Sequence, residues 1–434
     1  MLKAGFARLD VTPPLGAELS GYFYVRHAKG VLDPLELNAV AVSNGSDTIL
    51  LMAIDFIGID MGYMDEIRGL IAKRTGLPAE HILIAALHQH TSCCLHTSKD
   101  RLARLTDAAY IDVLLRKFGD AAQLAMDDLQ DAVMTTAAQE VAEPIAFVRR
   151  YFTADGGVAT NPSSKLVLTG RCDEADNTMR LVRFRRENAK DIAIINFSTH
   201  PDVIGGEYVS ADWPGFTRRF VEADIPDVSC LFFTGCQGDS NHVDFFKPKD
   251  QRLKGTGYEH SRYMGRTVAD AVKAAWDNTR EMCGEAITGQ VTKVYNRTNT
   301  HDIDKYDEYK AWYEDYEAGK LGPKPHITEL AYASRIIGLR TSPIFLPVPL
   351  TLLSVGDVIF AGFGGEAFTA YGQAVRDMAP GKFALCSVCT NGYEGYFPTE
   401  KAFAQGGYES KSSLFTPTLE KELLDAFQSM LEKI

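Results

Sequence analysis

The chain has 434 residues and a formal net charge of −12, with 45% hydrophobic and 24% charged residues. This balance is typical of a folded globular protein and excludes a disordered or fibrous chain. The negative charge argues against binding to nucleic acid or anionic membranes, because both would repel it. We therefore expect a small-molecule partner, and the sequence leaves open whether the chain forms a homo-oligomer.

The amino terminus, MLKAGFARLDVTPP, lacks the apolar run of a signal peptide, and no stretch approaches the roughly 18 apolar residues of a membrane span. Eight cysteines are too sparse for a disulfide scaffold in a chain of this length. We therefore expect a cytoplasmic protein with reduced thiols and no membrane span. Cys386 and Cys389 have CxxC spacing, but no second pair exists, which favours core thiols over a zinc site.

Strands and helices alternate along the chain, a pattern typical of an α/β protein with layered mixed sheets and flanking helices. The step Asn44-Gly45 predicts a hairpin between the first two predicted strands. The predicted strands are 36–44, 48–57, 81–88, 178–186, 191–198, 228–234, 286–296, 350–361 and 382–389. The predicted helices are 62–76, 108–129, 257–277, 366–378 and a helix at the carboxyl terminus.

The acidic segment 302–320 carries aromatic residues at helical spacings of three and four. They are Tyr306, Tyr309, Trp312, Tyr313 and Tyr316. The spacing by itself favours an amphipathic helix packed on the protein. A helical lid, inserted at 300–335 with an aromatic face that covers a substrate, is the alternative.

His88 and His90 stand where the predicted strand 81–88 ends. Side chains alternate along a strand, so residues two apart point to the same side. Imidazole is the commonest metal ligand near neutral pH, and the pattern therefore favours a metal site over a surface or core histidine pair. One histidine would be the ligand and the other an acid/base group. His96 lies outside the HxHxDH spacing of metallo-β-lactamases and is an optional pocket residue.

Other polar residues follow other predicted strands. His200 stands after the strand 191–198, where it is either a loop residue or part of a shared metal site. A glycine-bracketed turn follows the strand 228–234, and such a turn lets backbone N–H groups approach a ligand. Ser240, Asn241 and His242 follow this turn and are candidates for a nucleophile or for hydrogen bonds.

The last third of the chain adds a carboxylate and two phenols. Glu366 stands at the start of the predicted helix 366–378, where the helix dipole stabilises a carboxylate, so helix capping is the simplest interpretation. Tyr393 and Tyr396 lie in a glycine-rich loop, and a phenol oxygen can ligate a strong Lewis acid.

In their order, these segments resemble the neutral or alkaline non-lysosomal ceramidase family of zinc amidases. The opening from Gly5 to Gly16, Gly21-Tyr22 and Asp33-Pro34-Leu35 are similar to the start of that family. The HxH, the strand-end histidine, the Gly-Asp turn, the Gly-Glu turn and the Asn-Gly-Tyr loop follow in the same order. The resemblance covers nearly the whole chain and implies a single neutral-ceramidase-like catalytic domain over residues 1–434.

The resemblance also implies roles for individual residues. It implies that one zinc ion is held by His88, His200, Glu366 and Tyr396. His90 would be the neighbouring acid/base or oxyanion-binding group. An arginine before an Asn-Pro step lines the pocket of that family, and here Arg150 matches better than Arg149, with Asn161 in the Asn-Pro step.

The sequence also departs from the family pattern. The family carries Gly-Asp-Val-Ser-Pro-Asn, with the serine often assigned as nucleophile, whereas Ser240 stands one place early and no proline follows it. Thr91-Ser92-Cys93 replaces Ser-Gly-Pro after the HxH. A signal peptide and a carboxyl-terminal immunoglobulin-like domain are missing, so long-chain ceramide at a membrane surface is a poor match.

Together these features predict a zinc-dependent hydrolase that cleaves an amide or ester bond, a lactone included, in a small soluble substrate. Water activated by the metal would be the nucleophile, His90 would carry a proton, and Arg150 with the turn at 235–241 would stabilise the oxyanion. Asp55 is either a turn residue or a group that orients a ligand histidine. The expected substrate-binding residues are His96, Asn161, Asn241, His242 and Tyr393.

Three alternatives stay open. The first is a ceramidase-type hydrolase of N-acyl amides in which Ser240 takes part. The second keeps the site but acts on a phosphoester or a sugar-derived substrate, although the acidic segment 302–316 would repel a phosphate. The third is a non-catalytic binding protein that a metal stabilises, which would leave no ligand position open on the metal.

Overall fold

A long mixed β-sheet runs through the protein in the computed structural model, which describes residues 1–98, 103–248, 256–322 and 325–434. Its main strands are β1 (Lys3–Asp10), β2 (Glu36–Ser43), β3 (Thr48–Ile54), β4 (Ile82–Ala86), β5 (Gln130–Glu140), β6 (Thr178–Arg186), β7 (Asp191–Phe197) and β8 (Val228–Thr234). They lie in the order β8-β7-β6-β5-β1-β2-β3-β4, and Arg280–Glu281 adds a short strand beside β5. The outermost pairs, β7 with β8 and β3 with β4, are parallel, whereas the other neighbours are antiparallel.

A second sheet packs beside the first. It consists of β9 (Ile287–Arg297), β10 (Phe345–Val355), β11 (Val358–Phe363) and β12 (Phe383–Ser387), in that order. Short strand pairs connect the loops between the two sheets. They are Glu18–Leu19 with Arg26–His27, Gly30–Val31 with Tyr208–Val209, Gly58–Ile59 with Cys94–Leu95, Phe147–Val148 with Ser240–Asn241, and Glu366–Ala367 with Tyr396–Phe397, while Arg150–Thr153, Val158–Thr160 and Leu168–Arg171 form a small sheet.

Helices cover both faces of these sheets. They are α1 (Met61–Thr75), α2 (Ala108–Asp127), α3 (Asp212–Asp224), α4 (Tyr258–Ala275), α5 (Tyr306–Glu317), α6 (Ile327–Leu339), α7 (Thr369–Met378), α8 (Glu400–Gln405), α9 (Tyr408–Ser412) and α10 (Leu419–Leu431). No helix in the described parts of the chain is both long enough and apolar enough to cross a membrane.

The main sheet is buried on both faces. Along β2, Leu37, Ala39 and Ala41 enter one hydrophobic core, and Val40 and Val42 enter the other, because alternate side chains point to opposite faces. Residues of α1, α2 and α10 pack into the first core, and residues of α3 and α4 pack into the second. Burial on both sides explains why β3, β4, β7 and β8 are almost continuously apolar instead of alternating with polar residues.

Most predicted elements lie close to observed ones, and three differ in ways that affect the site. The predicted strand 350–361 is a hairpin of β10 and β11, which turns at Gly356 with a φ of 52°. The strand predicted at 81–88 ends at Ala86, so His88 lies beyond it. The helix predicted at 366–378 begins at Thr369, and Glu366 lies in a two-residue strand. The helix-capping interpretation of Glu366 is therefore wrong.

The aromatic segment forms α5, none of whose residues is fully buried. α5 packs against α6, where the rings of Tyr309 and Tyr332 meet edge to face at 5.2 Å. α6 in turn packs against α9. Residues 323 and 324 of the lid predicted at 300–335 lie outside the described residues.

Candidate metal centre

Three imidazoles from loops after two strands of the main sheet come together in the interior. His88 and His90 follow β4, and His200 follows β7. The centroids of the rings are 5.2 Å apart for His88 and His90, 5.2 Å for His88 and His200, and 5.8 Å for His90 and His200. One ring nitrogen from each lies within 4.8 Å of the others. His88 and His90 therefore share one site with His200, although more than a hundred positions separate them from it in the sequence.

Glu366 completes this cluster from the second sheet, three residues after β11. Its Oε2 lies 3.2 Å from Nε2 of His88 and 3.2 Å from Nε2 of His200. That oxygen is buried and has no hydrogen-bond partner among the described residues. Burial raises the pKa of Glu366. The pKa falls well below its usual value when the positions facing the carboxylate carry positive charge or donate hydrogen bonds, and His88 and His200 are the groups that occupy those positions.

Backbone carbonyls orient two of the imidazoles. Nδ1 of His88 lies 2.8 Å from the Ile57 carbonyl oxygen, and Nδ1 of His200 lies 3.0 Å from the carbonyl oxygens of Gln237 and Ser240. A carbonyl only accepts, so both Nδ1 atoms carry the hydrogen. Both Nε2 lone pairs are thereby directed towards Oε2 of Glu366, the tautomer that a metal-ligating histidine uses.

His200 and His90 of this cluster both have pKa values below the usual value, which favours their neutral forms near neutral pH. Burial is the main cause that lowers the pKa of His200 to about 4, and the nearby Arg149 guanidinium adds to it. Burial also lowers the pKa of His90 well below its usual value, with a further contribution from His88. A neutral imidazole can ligate a cation or accept a proton, whereas a protonated one can do neither.

The backbone at His88 has a left-handed φ of 73°, which is rare for a residue other than glycine. The following residue fixes this conformation, because Gln89 donates a 2.8 Å hydrogen bond from Nε2 to Oδ1 of Asp55. Asp55 also accepts two hydrogen bonds from Arg218 on α3, at 3.0 and 2.6 Å. Asp55 therefore holds the backbone between the two histidines through Gln89, instead of contacting an imidazole as one interpretation of the sequence suggested.

A guanidinium borders the cluster on the side of His200. Nη1 of Arg149 lies 3.3 Å from Nε2 of His200, and Nη2 donates to the Gly238 carbonyl at 2.9 Å. The same guanidinium contacts Tyr396, whose ring centroid lies 5.3 Å from Cζ. Tyr396 pairs with Glu366 through the short strands that carry them. Burial raises the pKa of Tyr396 well above its usual value, so the phenol is neutral beside the carboxylate.

Arg150, the arginine that the resemblance favours, lies away from the imidazoles. Its side chain is fully buried and bonds Oε2 of Glu409 at 3.1 Å and Oε1 of Gln405 at 3.3 Å. Glu409 also accepts from Nε of Arg149 at 2.7 Å. One buried carboxylate of α9 therefore pairs with both guanidiniums, and Arg149 is the one that faces His200.

The remaining sequence-predicted residues lie around this cluster in different ways. Oγ of Ser240 donates to the Ser198 carbonyl at 3.3 Å, and Nδ2 of Asn241 donates to Oδ1 of Asn161 at 3.3 Å. The Tyr393 ring lies 5.6 Å from the His88 ring. His242 packs 5.7 Å from the His260 ring, and Nδ1 of His96 lies 3.6 Å from Oδ2 of Asp60.

Several residues of the site were not singled out from the sequence. Glu409 and Gln89 hold the site together, and Asp202 faces His90, with Nδ1 of His90 3.4 Å from its Oδ1. Asp202 follows the strand-end histidine by two residues, as His90 follows His88, and this spacing could have marked it. Nothing in the local sequence marks Glu409, because its partners lie about 260 positions away.

The donor set, two imidazole nitrogens and a carboxylate oxygen, could hold a divalent cation, and it is a set that suits zinc. Zinc binds imidazole nitrogen and carboxylate oxygen at about 2.0–2.2 Å, which places neighbouring ligand atoms about 3.3 Å apart in a tetrahedron. The two 3.2 Å separations around Oε2 of Glu366 match that spacing. The unpartnered carboxylate oxygen between two lone pairs would otherwise be an unexplained cost in a buried site. Arg149 contacts the same Nε2 of His200 that such an ion would use.

Comparison with known proteins gives the fold. No protein-family model matches the chain, and no curated protein matches it in sequence. Among solved structures, it is similar to a neutral ceramidase from Pseudomonas aeruginosa, with a TM-score of 0.73 and 15% identity over 100% of this chain and 75% of that one. This chain has a neutral ceramidase-like fold. It is also similar to a ceramidase solved in complex with C2, with a TM-score of 0.74 and 15% identity over 99% of this chain and 74% of that one.

We expect Glu409→Ala to destabilise the protein by about 3–5 kcal/mol, because it leaves the Arg149 and Arg150 guanidiniums buried without their counter-charge. Denaturant unfolding measures the loss. The matched control is Asp425→Ala, which removes an exposed carboxylate paired with Lys421 and should change stability by at most about 0.5 kcal/mol. Equal, small effects of the two substitutions would contradict the assignment of Glu409 as the shared counter-ion.

Proposed function

We propose that the protein is a zinc-dependent hydrolase that cleaves an amide or ester bond, a lactone included, in a small molecule. The observation that carries the proposal is the buried, unpartnered Oε2 of Glu366, which lies 3.2 Å from Nε2 of both His88 and His200. The ceramidase-like fold supports the amide as the bond, since the similar structures are ceramidases. Their substrate is not assigned to this chain.

His88, His200 and Glu366 would hold the ion, with Tyr396 beside Glu366 as the fourth ligand. His90 is an alternative ligand, because one of its ring nitrogens lies within 4.8 Å of those of His88 and His200. We assign it instead to proton transfer, since His88 and His200, and not His90, form the 3.2 Å contacts with Oε2 of Glu366. This assignment leaves a position for substrate or water, which catalysis requires.

When bound, zinc supplies Lewis acidity, which polarises a carbonyl group and lowers the pKa of water to about 7. The protein supplies the proton transfer and the charge. His90, held neutral by burial, takes a proton from the attacking water and returns it to the leaving amine or alkoxide. Arg149 carries a positive charge into the same buried space, where it stabilises negative charge that develops on the carbonyl oxygen.

The contacts of Ser240 favour water, and not the Ser240 hydroxyl, as the nucleophile. Its Oγ donates to the Ser198 carbonyl, and its own carbonyl oxygen accepts from His200 Nδ1. A serine nucleophile needs a base within hydrogen-bond reach of its hydroxyl. The Ser240 hydroxyl is instead bonded to a carbonyl oxygen, and the residue contributes to the site through its main chain.

Purified protein loaded with zinc should retain about one ion per chain, and Glu366→Gln should weaken zinc binding by at least about 100-fold while the protein stays folded. Substituting a residue that only orients a metal ligand already weakens metal binding by about 10–100-fold. Metal analysis after dialysis and circular dichroism measure the two effects. His96→Ala is the matched control, because His96 contacts Asp60 and is expected to leave zinc binding unchanged.

The same zinc-loaded protein would then be screened with p-nitrophenyl esters, lactones and N-acyl amides. Turnover that is lost on chelation and restored by zinc supports the hydrolase. Tight zinc binding without turnover of any class would instead support the metal-stabilised binding protein. Unaltered zinc binding by Glu366→Gln would remove the basis of the metal site.

Ser240→Ala should retain turnover within about tenfold of wild type, because losing one neutral hydrogen bond changes a free energy by about 0.5–1.5 kcal/mol. Removing a covalent nucleophile costs several orders of magnitude. Steady-state kinetics at equal zinc content distinguishes the two cases. An acyl adduct trapped on Ser240 and found by mass spectrometry would establish the serine mechanism instead.

A further inference from the structure

The amino-terminal loop and short strands fix the position of the His90 ring. Gly21 has a left-handed φ of 112°, and a Cβ added there would lie 2.7 Å from Nδ1 of His90. Only glycine allows so close an approach. Nη2 of Arg26 donates to the His90 carbonyl at 2.6 Å, and the His90 amide donates to the Pro201 carbonyl at 3.1 Å. The backbone and one face of the ring are therefore held by residues outside the candidate metal ligands.

A carboxylate faces the same edge of the ring. Oδ1 of Asp202 lies 3.4 Å from Nδ1 of His90, slightly beyond the usual hydrogen-bond range. Catalytic hydrogen bonds are often long before the substrate binds and tighten in the reacting complex. The other rings near His90, those of Tyr22, His88 and His200, lie 5.2–5.8 Å away between centroids. Asp202 is thus the acceptor that this nitrogen faces.

Asp202 is itself held in place. The Tyr22 hydroxyl donates to Oδ1 of Asp202 at 2.6 Å, the same oxygen that faces His90. The Arg26 guanidinium lies 4.1 Å from the Tyr22 ring centroid, a cation–π contact that fixes the ring. Asp202 is only partly exposed, at 25% of its side chain. A carboxylate restrained in this way can orient an imidazole, which a freely rotating surface carboxylate cannot.

We propose that Asp202 is a positioning residue for His90, and that Tyr22 and Arg26 hold it in that role. Asp202 accepts from Nδ1–H, which selects the tautomer whose Nε2 lone pair is free to take a proton. Both ring nitrogens of His90 are buried and form no hydrogen bond within the described residues, and Asp202 Oδ1, 3.4 Å from Nδ1, is the carboxylate oxygen that faces the ring. The inference rests on the proposed function, since it assigns His90 to proton transfer. Asp202 does not contact the reacting atoms.

Nuclear magnetic resonance tests the inference without turnover. Long-range ¹H–¹⁵N spectra of zinc-loaded protein with ¹⁵N-labelled histidine report the tautomer of each ring, and the His90 signals are those that His90→Gln removes. Wild-type His90 should carry its hydrogen on Nδ1, and Asp202→Ala should produce the other tautomer or a mixture. Glu207→Gln is the control, because Glu207 lies on the same loop and its carboxylate pairs with Lys29. An Nδ1–H tautomer that persists unchanged in Asp202→Ala would overturn the proposal.

Kinetics on a substrate found by the screen gives the second readout. Asp202→Ala should lower kcat about 10–100-fold with KM and zinc content unchanged, as for other residues that orient a functional histidine. Asp202→Asn retains an oxygen acceptor, so its kcat should fall less than that of Asp202→Ala. Tyr22→Phe should lower kcat about 2- to 10-fold, the effect of losing one hydrogen bond. Loss of zinc in proportion to kcat, or a kcat equal to that of Glu207→Gln, would contradict the role. If wild type turns over no substrate, the proposed function fails, and the tautomer measurement still decides this inference.

Discussion

A carboxylate buried between two imidazoles is the constraint on which the site depends. Taking a carboxylate out of water costs several kcal/mol unless opposite charge or hydrogen bonds replace the lost hydration. Glu366 has no hydrogen-bond donor for Oε2 in the described residues, and its neighbours offer lone pairs once their Nδ1 atoms carry the hydrogens. A cation held by these three atoms would supply the missing counter-charge.

The formal charges of the buried groups around the imidazoles sum to zero, although Oε2 of Glu366 has no donor of its own in the described part of the chain. Two guanidiniums, Arg149 and Arg150, stand against two carboxylates, Glu409 and Glu366. A divalent ion held by His88, His200 and Glu366 would give this set a net positive charge. Such a charge in a buried site would favour an anion or a developing oxyanion.

The fold keeps these groups in place through a close main-chain approach and through the side chain of Asn391. The turn after β8 approaches Glu366 so closely that a Cβ on Gly238 would lie 2.3 Å from the Glu366 carbonyl oxygen. Asn391 bonds both the amide of Ile84 and the carbonyl of Ile82, and so attaches the loop of Tyr393 and Tyr396 to β4. The two sheets are thereby joined at the strand ends where the site lies.

The sequence predicts the parts of this arrangement that depend on local pattern. Apolar runs give most strands and helices, and a polar residue after an apolar strand marks His88 and His200 because strand ends meet at one edge of a sheet. The period-two argument for His88 and His90 does not apply, since both lie beyond β4 and a left-handed residue brings their rings together.

Contacts between distant segments are what the sequence does not reveal. Which of two adjacent arginines faces the imidazoles depends on Glu409, about 260 positions later, and the role of Asp202 depends on Tyr22, 180 positions earlier. The strands β1 and β5 were not predicted, although β1 lies at the centre of the main sheet and pairs with both β2 and β5. Their place is fixed by partners and not by their own pattern.

X-ray absorption at the zinc edge of the zinc-loaded wild-type protein tests the metal centre most directly. We expect nitrogen and oxygen neighbours at about 2.0–2.2 Å, the outer-shell scattering of imidazole rings, and no sulfur. Cys389 makes the measurement discriminating, because its Sγ lies 3.7 Å from Nδ1 of His88. A zinc–sulfur distance of about 2.3 Å, or an absence of imidazole scattering, would contradict a site built on His88, His200 and Glu366.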